Sequence, residues 1–68
     1  MTTYFFEAND VENDQCIYFG SSREQLIHKL NTYIKSQPIH KQNVVSERDI
    51  ENLNSSKLAL AGIEVFLQ

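Results

Sequence analysis

Sixty-eight residues carrying six basic and nine acidic side chains, for a net charge of −3, make one small domain and exclude a second core and a general affinity for phosphate backbones. A hydrophobic content of 41% with 22% charged residues belongs to a folding chain and not to a disordered one. A chain this short buries only about 60% of the surface its unfolded form exposes, so its core is thin, and help from a partner or a second copy is expected.

Thr2 to Ala8 alternates in two registers, Tyr4/Phe6/Ala8 against Thr3/Phe5/Glu7, and its aromatic and Thr content predicts a strand. Asn9 to Asp14 is dense in turn formers, and Gln15 to Gly20 returns as a second apolar run. An antiparallel hairpin with a polar, exposed loop is expected. Aromatics fall on both faces of it, Tyr4 and Phe6 against Phe5, and Tyr18 against Ile17 and Phe19. One face is then expected beneath a helix and the other against a partner.

Gly20-Ser21-Ser22 leads into Arg23-Glu24-Gln25, and Ser21 with Glu24 has the spacing of a capping box, in which two orphan amides of the first turn are satisfied. Leu26, Ile27, Leu30, Tyr33 and Ile34 follow as one apolar stripe, with Glu24, His28, Asn31 and Lys35 opposite. This spacing predicts the main helix. Pro38 cannot continue it and biases Gln37 away from helical angles, so it ends near Ser36.

Ile39 to Val45 is mostly polar and reads as a loop or a short edge strand. Ser46 is a second N-cap, with Glu47 and Asp49 in the first turn where the helix dipole favours acids. The short helix it opens ends near Leu53 at the weak helix formers Asn52 to Ser56, although Ile50, Leu53, Leu60 and Ala61 can line a longer one. Leu58 to Ala61 together with Ile63/Val65/Leu67 reads as a closing strand, with Gly62 at a bulge or turn.

The fold class that results is α+β: a small antiparallel sheet, made of the N-terminal hairpin and the C-terminal strand, packed against one main helix with a short second helix. The order β, β, α, weak β or loop, short α, β is similar to that of ubiquitin-like β-grasp folds. That resemblance is one of topology, and it implies an architecture and no conjugating role, since the terminal diglycine of conjugating members is missing.

Chemistry-bearing constellations are sparse. Cys16 is the one cysteine, which forms no internal disulfide and points to a reducing, cytoplasmic location. It sits in a predicted strand and His28 on the outer helix face, so a thiolate–imidazole pair is not expected. Glu24 and His28 share a helix face but fall short of the three or four ligands of a zinc site. Asp10 to Asp14 imitates a calcium loop, yet Gln15 stands where Gly is needed and Ser21 where Glu is needed. Neither metal nor cofactor is expected, nor an enzyme. The two glycines, Gly20 and Gly62, do not form a phosphate loop. The amino terminus lacks a basic region and an apolar run of signal-peptide length, and no segment has the roughly 20 apolar residues of a membrane helix.

The expected function is that of a small non-catalytic cytoplasmic binding or regulatory protein, working by protein contact and as a homodimer. The contact residues are expected to be Tyr4, Phe5, Tyr18 and Phe66 as apolar groups, with Asp10, Glu12 and Asp14 for a basic partner. Replacing these three acids should barely change the stability of a solvated loop. The alternative is nucleic-acid binding through Arg23, Lys29, Lys35 and Lys41.

Overall fold

The computed structural model describes residues 5–67, so Tyr4 lies outside the described residues. β1 spans Phe6–Asp10 and β2 spans Gln15–Gly20. The strand expected to stop at Ala8 continues through Asn9 and Asp10, which leaves a loop of Val11 to Asp14. Asp14 closes that loop at φ 53°, a left-handed angle that Asp tolerates better than most residues.

The pairing of β1 with β2 slips once. Ala8 faces Tyr18 and Asn9 faces Cys16, so Ile17 is an extra residue on β2. A bulge of this kind sends two consecutive side chains toward one side of a sheet, and Ile17 and Tyr18 both pack on the core while Phe19 is 60% exposed. The expected alternation, Tyr18 against Ile17 and Phe19, is corrected by that one residue.

α1 covers Arg23–Lys35 and buries Leu26, Leu30 and Ile34, with Ile27 and Tyr33 at the rim of the core. The apolar stripe is thus as the spacing predicts. Its cap differs. Ser22, not Ser21, is the N-cap and accepts from the Gln25 N–H at 3.2 Å. Tyr18 completes the cap from the sheet: its hydroxyl accepts from the Ser22 N–H at 3.1 Å and donates to Gln25 Oε1 at 3.5 Å. A tyrosine in β2 therefore does what the Glu of a capping box does elsewhere. Ser22→Ala is expected to cost about 1 kcal/mol, whereas Ser21→Ala is expected to be neutral. Urea midpoints of the two variants measure the difference.

After Pro38 the chain forms a short helix, α2 (Ile39–Gln42), in place of the expected loop or edge strand. Pro38 at φ −54° lends its carbonyl to the amides of Lys41 (2.9 Å) and Gln42 (3.2 Å), while the straight side chains of Lys41 and Gln42 offer nothing to favour a strand. The Gln42 side chain also donates from Nε2 to the carbonyls of Lys35 (3.3 Å) and Gln37 (2.7 Å), satisfying the end of α1.

α3 (Glu47–Glu51) starts at Ser46 in a full capping box with Asp49. Leu53 breaks the path at φ 49°, and Asn54 caps α4 (Ser55–Leu60). Residues 55–60, expected in part as strand, are helix, because Asn54 accepts from the Lys57 N–H at 3.3 Å and opens a turn there. The longer continuous helix is excluded by Leu53.

β3 is Ile63–Leu67 and lies antiparallel to β1, so the sheet order is β2-β1-β3 with β1 in the middle. The α+β class and the antiparallel sheet under one main helix are as expected. Ala8, Leu26, Leu30, Ile34, Val45, Ile50, Leu58, Ala61 and Ile63 form the core. Helices contact the sheet through α1 on β2 and β1, and α4 on β3. Among the described residues no helix is long and apolar enough to cross a membrane.

Candidate functional site

Strand alternation divides the sheet into two faces. Phe6, Ala8 and Asp10 of β1, Tyr18 of β2, and Ile63 and Val65 of β3 point toward the helices. Phe19, Glu7 and Phe66 form a row across the other face, and Cys16, Asn9 and Glu64 form the next. Phe5 joins the first row by stacking on Phe19, with ring centres 5.7 Å apart and planes 7° from parallel.

This helix-free face exposes three aromatic rings: Phe5 at 41%, Phe19 at 60% and Phe66 at 45%. Its charged groups, among the described strand residues, are the carboxylates of Glu7 and Glu64. Phenylalanine faces beside a carboxylate offer a cation both the ring quadrupole and a counter-charge, within about 6 Å of a ring centre for the former.

Of the residues expected at a contact, Phe5 and Phe66 stand on this face, and Tyr18 does not. It is turned inward by the bulge and capped onto α1. Phe19, which takes its place, was not among the expected residues. Its signal is its opposition to Glu7, visible only once the extra residue Ile17 is known.

The acidic loop is not uniformly solvated. Asp10 is 1% exposed. Its Oδ1 accepts from the amides of Glu12 (3.0 Å) and Asn13 (3.1 Å), and its Oδ2 from Asn13 Nδ2 (2.8 Å) and the Tyr33 hydroxyl. Burial alone would raise the Asp10 pKa, but these donors outweigh it and hold the carboxyl below its ordinary value. Tyr33 is displaced the other way, upward, by burial and by the Asp10 carboxylate it donates to. Asp10 is therefore a buried, hydrogen-bonded residue of the hairpin and not the solvated loop residue expected.

Glu12 is paired with Lys41 at 2.8 Å, and that contact raises the Lys41 pKa. Asp14 is exposed. Beside Asp10 and Asp14 a depression of about 450 Å³ is lined also by Asn9, Val11, Gln15 and Cys16. Cys16 is exposed there, on the side of the sheet away from α1 and His28. No group of three potential metal ligands occurs among the described residues. Of the cations that suggested nucleic acid, Lys41 is held by Glu12, and Arg23 donates to the Glu51 carbonyl at 2.5 Å.

The chain matches no protein-family model, no curated protein and no solved structure.

Proposed function

We propose that this chain is a small non-catalytic binding protein that works by protein contact, and that its helix-free sheet face takes an apolar segment bearing Lys or Arg. The observation that carries the reading is the row Phe19, Glu7, Phe66 with Phe5 stacked beside it. Three exposed rings supply the desolvation that anchors a contact, and the exposed carboxylate of Glu64 on the same face selects a cation over an anion. A second copy placed face to face on the same rows would bring Glu7 and Glu64 toward their own equivalents, which disfavours self-association through this surface. The alternative, nucleic-acid binding by the Arg23 to Lys41 region, has less support, because two of its four cations are already engaged.

Selection of a displayed random peptide library on the immobilised protein tests the reading. Enriched peptides should carry Lys or Arg next to aromatic or aliphatic residues. Phe19→Ser should weaken them about tenfold, and Glu64→Gln should remove most of their salt dependence. Enrichment of acidic peptides, or equal binding by the Phe19→Ser variant, would overturn it.

A further inference from the structure

The two edges of the sheet differ. β2 is blunted by the extra residue Ile17 and ends in Gly20, and a bulge is a common defence against strand addition. β3 runs Ile63-Glu64-Val65-Phe66-Leu67 without bulge, proline or lysine. It pairs with β1 alone among the described residues, so its outer amides and carbonyls have no partner strand. Leu67, 63% exposed, and Phe66, 45% exposed, stand on that strand.

We propose that the outer edge of β3 pairs with the same edge of a second copy, antiparallel about a two-fold axis at Val65, joining two three-stranded sheets into one of six strands. The register follows from charge. With the axis at Val65, Ile63 faces Leu67 of the second copy, Val65 faces Val65, and Glu64 faces Phe66. Aliphatic groups meet and no carboxylate opposes another. Moving the axis to Glu64 would set two carboxylates directly opposite, which cross-strand pairs disfavour. The axis stands normal to the sheet, so both helix-free faces lie on one side and stay open. The proposal is thus independent of what those faces bind. A ladder of five residues a side buries less than the roughly 800 Å² per partner of a standard interface, so the dimer is weak and its population rises with concentration.

Sedimentation equilibrium of the intact chain over a range of concentrations is the test, with circular dichroism as a check on folding. The wild type should move from monomer toward dimer mass. Phe66→Glu opposes Glu64 twice by symmetry and should weaken association at least tenfold. Phe66→Lys makes two opposite-charge pairs in the same positions and should keep it, as should Glu64→Lys combined with Phe66→Glu. Phe19→Lys, on the far strand, should change nothing. A wild type that stays monomeric throughout would overturn the proposal. So would equal loss in Phe66→Lys and Phe66→Glu, or loss in Phe19→Lys, which would indicate stacking through the faces. These outcomes are read as mass, whereas the open-face reading is read as peptide binding, so either can fail alone.

Discussion

Asp10→Ala is expected to lower stability by about 3 kcal/mol, because it removes the acceptor of two loop amides, the Asn13 side chain and the Tyr33 hydroxyl at a part-buried site. A domain of 68 residues has on the order of 3–10 kcal/mol to lose, so the variant should retain about 0–7 kcal/mol, half unfolded at the low end of that range and folded but weakened above it. Asp10→Asn should fall between it and wild type. Its amide keeps one acceptor oxygen for the Glu12 and Asn13 N–H groups, but presents a donor to Tyr33 and Asn13 Nδ2. Acid dependence provides a second reading. The folded-state pKa of Asp10 is below its unfolded value, so its contribution is present above the ordinary carboxylate range and is lost as pH falls through the folded value. Asp49, lowered by the Ser46 amide and hydroxyl, acts in the same direction from an exposed cap. Urea unfolding at a series of acidic pH values should give a shallower slope for Asp10→Ala than for wild type. Tyr33→Phe removes one donor to the carboxylate and should retain part of that slope. An unchanged acid limb in Asp10→Ala would assign the linkage to other groups.

The same carboxylate shows what pattern reading reaches and where it stops. The stripe Leu26, Leu30, Ile34 and the cap at Ser46 are legible because helical period and capping chemistry act within one turn. So is the alternation of Ile63, Val65 and Leu67. Asp10 has the composition of a solvated turn residue, and nothing local announces that Tyr33, 23 positions on, will donate to it. The bulge at Ile17 is equally silent: one extra residue reverses which of Tyr18 and Phe19 meets the core, and it is set by pairing with β1. Of the expected aromatics, Phe5 and Phe66 therefore stand on the outer face, while Tyr18 is turned inward and Phe19 stands there instead. The helix at Ser46 is foreseen, whereas α2 and α4 are missed for a related reason. They are four and six residues long, too short for a periodic signal, and each is specified by one capping or turn residue.

These errors bear on function because the bulge makes both proposed surfaces. By sending Ile17 and Tyr18 inward it ties β2 to α1 through the Ser22 cap and frees Phe19 to join Phe5 and Phe66 outside. By distorting β2 it leaves β3 as the regular edge. A thin core and two unfilled surfaces arise together in a chain this small, since side chains committed to contact are unavailable for burial.

Gly62→Ala is expected to cost about 2 kcal/mol, or roughly 8–16 °C in Tm for a domain of this size. Two independent causes add. Gly62 holds φ +77° at the turn between α4 and β3, where a Cβ is strained by about 1–2 kcal/mol. A Cβ there would also lie 2.7 Å from Cδ and 2.8 Å from Cγ of Glu12, forcing that side chain off the path by which it reaches Lys41. The hairpin loop is already joined to this turn by the Val11 N–H donating to the Gly62 carbonyl at 2.9 Å, so displacement of Glu12 is felt at the start of β3. A double-mutant cycle separates the causes. In a Glu12→Ala background the steric part is gone, and Gly62→Ala should cost only the backbone part, about 1 kcal/mol less than in wild type. Equal cost in both backgrounds would show that Glu12 moves aside freely and that the backbone angle alone demands glycine.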